Sequence, residues 1–344
     1  MDRVSVSLLQ SGDEPAWDSF VQEAPSATFF HRVGWKRVIE RAFGHRTFYL
    51  AARRRGTICG VLPLTRVKSF LFGHSLISNA FCVHGGPVAE DPAIREMLES
   101  EAVRLARELR ADYLEFRSRG NSRLGWETRE GVYVNFRRPI VGDAEANLKA
   151  IPRKQRAMIR KGIAKGLKAE FDEDVRRFYH VYAQSVRNLG TPVFSRRYFS
   201  LLKEEFGCNC DIITILDDAQ PIASVLNFYF RDEVLPYYGG GTAQARVLAG
   251  NDFMYWEVMR RACERGYRVF DFGRSKLGTG AYDFKHNWGF EPLPIAYEYF
   301  SLGVRNVGCV NPLNPKYQAA ISLWQRLPLP VTKLVGPAIV RSIG

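Results

Sequence analysis

An internal repeat constrains this chain more than any other feature. A helix, a charged turn, a strand and an arginine occur as Leu105-Ala106-Arg107-Glu108-Leu109-Arg110-Ala111-Asp112-Tyr113-Leu114-Glu115-Phe116-Arg117-Ser118. They recur as Arg261-Ala262-Cys263-Glu264-Arg265-Gly266-Tyr267-Arg268-Val269-Phe270-Asp271-Phe272-Gly273-Arg274-Ser275. Upstream, Gly60-Val61-Leu62-Pro63 is matched by Ala223-Ser224-Val225-Leu226, and Gly85-Gly86 by Gly240-Gly241, each about 155 to 165 residues later. One supersecondary order repeated at one spacing reads as a duplication. A length of 344 residues independently calls for about two cores.

The rest of the pattern predicts the content of each copy. Trp35, Val38, Ile39 and Ala42 fall at helical spacing, with Gly44 as a stop. Phe48–Ala52 and Thr57–Leu64 read as a hairpin around Arg53-Arg54-Arg55-Gly56, and a helix over 93–110 precedes the strand Tyr113–Phe116. In the second copy, helices within 173–206 precede strands 211–216 and 222–230 and a strand ending at Gly239-Gly240-Gly241. A helix over 252–265 follows, with Asn251 or Asp252 as its N-cap. The expected class is α+β: tandem duplicated domains with mixed, largely antiparallel sheets. The expected divisions are a first domain at 1–145, a basic connecting helix at 146–168, a second domain at 169–300, and a tail at 301–344 packed on the body.

Composition narrows the chemistry. Hydrophobic residues make up 46% and aromatic residues 13%, enough for two packed cores and too much for a disordered chain. The N-terminus does not read as a secretion signal, and no apolar run reaches the ~20 residues that span a bilayer; a cytoplasmic protein is expected. The six cysteines lack metal-site spacing, so they are expected to be structural thiols, with no metal. A net charge of +13 favours a polyanionic partner, whether nucleic acid, anionic lipid or a phosphate-rich substrate.

That charge concentrates between Lys149 and Lys168, where eight basic residues stand without one acid. Ile159, Ile163 and Leu167 are expected to form its apolar stripe, with Pro152 in the first turn. Such a run repels itself unless an anion is near. Arg153, Arg156, Arg160 and Lys161 are therefore candidates for binding an anionic substrate or tRNA, the alternative being a solvated face.

A second cluster follows the last strand of the repeat. It runs from Asp271-Phe272-Gly273-Arg274-Ser275-Lys276 through Gly278-Thr279-Gly280 to Phe284-Lys285-His286-Asn287-Trp288-Gly289-Phe290. Charged and glycine residues just past an apolar strand mark a ligand site. Arg274, with Lys276 beside it, can take a phosphate or carboxylate, or else pair with Asp271. Asp271, Asp283 and His286 are candidate proton acceptors, or structural groups. Tyr238 and Trp288, beside glycines, are candidate ligand contacts. Gly278-Thr279-Gly280 reads as a phosphate loop or a flexible connection.

The repeated unit resembles the acyltransferase fold of the GNAT (acyl-CoA N-acyltransferase) superfamily. The segments Pro152–Gly162, Asp271–Ser275 and Phe284–Phe290 resemble the FemAB-type peptidyltransferases. The tail, Asn314-Pro315-Lys316-Tyr317 through Leu327-Pro328-Leu329-Pro330 and Gly336-Pro337, resembles the FemAB-like branch associated with exosortase (PEP-CTERM) and exopolysaccharide systems. The resemblance implies an N-acyl or aminoacyl transferase of the bacterial cell envelope, whose relatives act on peptidoglycan precursors. It implies no tightly bound cofactor and a donor that is acyl-CoA or aminoacyl-tRNA, with Lys285 holding a donor phosphate or the developing oxyanion. Gln244–Asp252 departs from the superfamily's pyrophosphate loop, and Arg119–Arg123 in the first copy lacks the lysine and tryptophan. The second copy is thus expected to be catalytic and the first acceptor-binding or structural. Peripheral contact with the inner face of the membrane is a further expectation, and a non-catalytic module that binds a polyanion or a membrane surface in envelope or exopolysaccharide assembly is the alternative.

Overall fold

The computed structural model describes residues 3–69, 73–118, 125–303 and 315–343. It divides into two compact units. Unit 1 comprises Met1–Val132, Ile295–Val310 and Arg341–Gly344, and unit 2 comprises Tyr133–Pro294 and Asn311–Val340.

Unit 1 begins with β1 (Val4–Leu8), α1 (Glu14–Glu23), α2 (Val33–Phe43), β2 (Thr47–Arg54) and β3 (Thr57–Ser69). It continues with β4 (Gly73–Ser78), β5 (Val88–Ala89), α3 (Pro92–Glu108) and β6 (Tyr113–Phe116). Local chemistry accounts for the boundaries. Gly44 ends α2 in the left-handed region at φ 66, and Arg55 and Gly56, both at positive φ, turn β2 into β3. Asp91 caps α3 by accepting from Ile94 N, with Pro92 behind it. The core of this unit packs Leu62, Leu64 and Leu76 with Leu98 and Ala102 of α3 and with Leu114 and Phe116.

Unit 2 takes β7 (Glu127–Pro139) from Tyr133, then α4 (Ala144–Ala150), α5 (Arg153–Ala164), β8 (Lys168–Phe171), α6 (Arg176–Asn188), α7 (Arg196–Phe206) and β9 (Cys210–Asp217). Next come β10 (Gln220–Phe230), β11 (Glu233–Gly241), α8 (Ala243–Leu248), α9 (Gly250–Glu264), β12 (Val269–Lys276) and α10 (Gly280–Asn287). The chain closes with β13 (Pro292–Ser301), α11 (Pro315–Arg326) and α12 (Leu329–Arg341).

Strand order makes the duplication explicit. Unit 1 runs β1-β2-β3-β4-β6-β13 and unit 2 runs β8-β9-β10-β11-β12-β7. In each, only the fourth and fifth strands are parallel, β4 with β6 and β11 with β12. The sixth strand of each unit is the segment that follows the fifth strand of the other copy in sequence. This is the expected α+β class, a duplicated unit with mixed, largely antiparallel strands.

Two local expectations are corrected. The connecting helix is broken at Ile151-Pro152 into α4 and α5, and Ile163 is 52% exposed rather than part of the buried stripe. The residues of α5 that face inward are Ile159 and Gly162, three apart. A Cβ on Gly162 would lie 2.8 Å from Phe253 Cβ, so the glycine seats α5 directly on α9 and turns Ile163 outward. Neither Asn251 nor Asp252 caps α9. Ala249, left-handed at φ 59, precedes a helix that already includes both, and the cap in this region is Thr242, whose hydroxyl accepts from Ala245 N to start α8.

Candidate active site

The site in unit 2 begins where two parallel strands part. β11 and β12 are paired only at Glu233↔Val269 and Val234↔Phe270, although β11 continues to Gly241 and β12 to Lys276. Both strands are bent beyond that point. Against β10, Tyr238 faces Leu226 and Pro236 faces Asn227, leaving Tyr237 as a bulge. Against β7, Gly273 faces Phe136 and Asp271 faces Arg137, leaving Phe272 extra, with Gly273 at φ 71. Bulges turn strands and commonly border binding sites. In unit 1 the corresponding strands stay together, with β6 paired to β4 along its whole length from Tyr113 to Phe116.

Glycines let helices close around the notch. A Cβ on Gly239 would stand 2.7 Å from Tyr255 Oη and one on Gly241 2.3 Å from Asn251 Oδ1, both on α9, while one on Gly240 would meet Ser185 Cβ of α6 at 2.5 Å. Successive strand residues face opposite sides, so the triple glycine admits close neighbours on both. Tyr255 packs on Phe272 and Phe284 at 4.9 and 5.5 Å between centroids, forming an aromatic wall.

Lys285 projects from α10, which Thr279 caps by accepting from Tyr282 N. Gly278-Thr279-Gly280 is therefore a helix start. The lysine is half-buried, and its Nζ donates to the carbonyls of Gly273 and Arg274 at 3.1 and 3.0 Å. Burial pushes its pKa down to about 7, with Asp271 opposing the shift and Arg274 adding repulsion. A neutral lysine amine has two N–H bonds and one lone pair; the two carbonyls occupy both N–H bonds. This arrangement can accept a proton near neutral pH.

Asp271, 2% exposed, accepts from Asn135 Nδ2 at 3.1 and 3.3 Å and from Gly273 N at 2.8 Å. Arg274 lays its guanidinium 4.5 Å from the Tyr133 ring, and Lys276 is paired opposite Tyr133 in the ladder. Asp283 and His286 lie exposed on α10, His286 stacked on Tyr282 at 5.9 Å; neither is among the charges acting on Lys285.

Two expected ligand contacts lie buried in the packing of unit 2. Trp288 is 0% exposed, packs edge-on against Phe272 and donates from Nε1 to Asp252 Oδ1 at 3.0 Å. It therefore holds α10 to α9 and presents no face to solvent. Tyr238 is buried among Tyr182, Phe194 and Phe199, with its hydroxyl 2.9 Å from that of Tyr198.

The structure adds residues that sequence reasoning missed. Asn135 Oδ1 and Ser275 Oγ are buried without a hydrogen-bond partner among the described residues, on strands paired at Val134↔Ser275 and Asn135↔Arg274. Buried polar atoms are nearly always satisfied, so these two stand out in the β7–β12 ladder. Asp252, in the first turn of α9, has its pKa pushed up to about 6 by burial, against the Trp288 hydrogen bond.

The basic helix borders the same region. Arg153, Arg160 and Lys161 are exposed, while the half-buried Arg156 donates from Nη1 to Lys149 O at 2.6 Å. α5 rests on α9 at Gly162, and Pro152 abuts Gly289 just past α10, where a Cβ on that glycine would lie 3.0 Å from Pro152 Cδ. Among the described residues, no group of His, Cys, Asp or Glu could hold a metal ion, and no helix is long and apolar enough to cross a membrane.

Comparison with known proteins agrees with this geometry. Residues 153–286 match the family described as Acetyltransferase (GNAT) domain. No curated protein matches the sequence. Among solved structures, FemX superposes with a TM-score of 0.69 at 14% identity, covering 92% of this chain and 100% of that one. A tandem GNAT protein from the clavulanic acid biosynthesis pathway gives 0.55 at 13%, covering 88% and 100%. The C-terminal domain of a putative lysylphosphatidylglycerol synthetase from Agrobacterium fabrum gives 0.52 at 14%, covering 91% and 94%. These likenesses show the fold, and the match over residues 153–286 identifies an acetyltransferase (GNAT) domain within unit 2.

Proposed function

We propose that this GNAT-domain acyltransferase forms an amide on an amine of an envelope or exopolysaccharide-related precursor, with the reaction in the β11/β12 notch of unit 2. The carrying observation is Lys285, whose two N–H bonds are taken by Gly273 O and Arg274 O and whose pKa is brought to about 7 beside that notch. An extended acyl donor lies between the parted strands. The acceptor amine attacks as the free base, and the neutral Lys285 amine takes the surplus proton from the nitrogen of the tetrahedral adduct. As the acyl–donor bond breaks, the lysine returns that proton to the leaving thiolate or alkoxide, and amide and free donor remain. General acid–base assistance of this kind is worth about 10²–10⁴ in rate. Positioning by the notch supplies much of the remainder.

We favour aminoacyl-tRNA over acyl-CoA as the donor. Asp252 places a carboxyl group in the first turn of α9, where a pyrophosphate would otherwise meet helix amides. The exposed arginines and lysines of α5 suit a nucleic-acid backbone. The resemblance of Asp271–Ser275 and Phe284–Phe290 to FemAB-type proteins, and of the tail to their exosortase-associated branch, motivates the acceptor class. Unit 1, with its parallel strands closed, binds the acceptor or serves as scaffold.

Equilibrium binding of aminoacyl-tRNA, deacylated tRNA and acetyl-CoA at low and moderate salt, with Lys285→Ala alongside, tests this reading. Preference for the charged tRNA that weakens with salt supports it. Salt-tolerant acetyl-CoA binding moves the donor to coenzyme A. Binding of neither donor, with polyanion capture lost only on charge reversal at Arg156, Arg160 and Lys161, favours the non-catalytic alternative.

A further inference from the structure

The C-terminal helix α12 is amphipathic in the reverse sense. A helix packed on a globular body normally turns its apolar stripe inward. On α12 the inward residues are Thr332, 1% exposed, and Gly336, where a Cβ would lie 2.9 Å from both Val193 N and Val193 O. The outward ones are Val331, Leu334 and Val335, at 39%, 81% and 41% exposure. Leu323 on α11 and Leu189 at the end of α6 add 64% and 61% exposed leucines. These last two belong to one corner, because α11 is fastened to the end of α6. Arg187 Nη1 donates to Gln325 O and Gln325 Nε2 donates to Asn188 O, both at 3.1 Å, and a Cβ on Gly190 would touch Ile321.

Charge identifies what covers this face. From Tyr299 to Gly344 the sequence holds no Asp or Glu, while Arg326 and Lys333 stand on the two helices. Lys333 Nζ lies 5.5 Å from the Tyr179 ring; burial lowers its pKa below that of a free lysine, and the nearby Arg196 lowers it further. The exposed Arg196 and Arg197 at the start of α7 extend the positive rim. An apolar face with cationic flanks and no acids complements a bilayer surface bearing anionic headgroups. A partner protein core would not call for one-sided charge. α12, with 13 residues, is too short to span a bilayer and would lie in its plane.

We propose that the α11–α12 pair docks this protein on an anionic lipid surface. The inference does not depend on the donor or on the transfer reaction. Its test is co-sedimentation of the full chain with vesicles of phosphatidylcholine alone, and of equal parts phosphatidylcholine and phosphatidylglycerol. Binding to the mixed vesicles is expected, weakened but not abolished by salt. Each basic side chain near the surface contributes on the order of fivefold. Leu334→Asp with Val335→Asp lowers affinity about tenfold or more, and Leu323→Asp acts in the same direction. Both variants change exposed positions, so unfolding midpoints stay at the native value, which separates lost docking from lost fold. Three results overturn the proposal. One is absence of binding to the mixed vesicles. Another is binding that survives these substitutions but is lost with Arg160→Glu and Lys161→Glu. The third is a lipid-free dimer in sedimentation velocity that Leu334→Asp dissociates, which would make a second copy the occupant.

Discussion

Replacing Lys285 with methionine tests the structure through pH rather than through catalysis. The fold lowers the lysine pKa from 10.5 to about 7, so keeping it charged at pH 7 costs the folded state at most about 4–5 kcal/mol. Because the folded value is depressed, the unfolded chain binds the extra proton between about pH 7 and 10, and native stability rises with pH across that window. The full displacement gives a rise of about 2 kcal/mol between pH 7 and pH 9. Solvent reaching a half-buried amine reduces it to about 1–2 kcal/mol. Methionine fills similar volume and binds no proton, so the stability difference between variant and native protein must shift by that amount, in the native protein's favour, as pH rises. Loss of the bonds to Gly273 O and Arg274 O displaces both ends equally and leaves the slope intact. Urea unfolding of both proteins at several pH values reads the slope. Stability curves that stay parallel from pH 7 to pH 9 would refute the buried, near-neutral lysine.

Asp252 gives the opposite sign. Its folded pKa of about 6 exceeds the ordinary 3.8, so its contribution is full below about pH 4 and lost as pH rises through 6. Asp252→Asn, which keeps the acceptor for Trp288 Nε1, is expected to gain about 1–2 kcal/mol at pH 8 and nothing near pH 4 in the same unfolding assay. Gly162→Ala drives a Cβ to 2.8 Å from Phe253 Cβ and is expected to cost about 1–3 kcal/mol, seen as a lower unfolding midpoint. Arg160→Glu with Lys161→Glu, both exposed on α5, leaves stability within about 0.5 kcal/mol. The same pair flattens the log–log salt dependence of tRNA binding by about one unit of slope for each phosphate no longer neutralised, read by filter binding.

The elements legible in the sequence are those whose signal is local. α2, α3 and α9 announce themselves by apolar spacing, and β9, β10 and β12 by runs rich in β-branched and aromatic residues. The duplication is legible because Asp112-Tyr113 and Gly266-Tyr267 sit at the same step of the same order. β7 is not, because Glu127–Glu130 and Arg137-Arg138 dilute its alternation, and what makes it a strand is pairing with β12 far along the chain. Asn135 escapes for the same reason: its partner Asp271 is 136 residues away. Spacing alone does not choose between Ile163 and Gly162 as the buried position, since the choice depends on how closely Phe253 approaches. Trp288 stands out as a residue, but which way its indole faces is decided by Asp252, a carboxylate that the sequence presents only as a possible cap. The low proton affinity of Lys285 is likewise a product of burial, which no pattern of neighbours in sequence encodes.

The measurement closest to the central claim is the pH profile of single-turnover acyl transfer from the bound donor to a simple amine, for the native protein and Lys285→Met. The account predicts a native rate that climbs through one ionisation near pH 7. For the variant it predicts a profile without that step, lower by about 10²–10⁴ at its plateau. A variant that keeps both the rate and the inflection would contradict it, and would remove Lys285 from the chemistry of the notch.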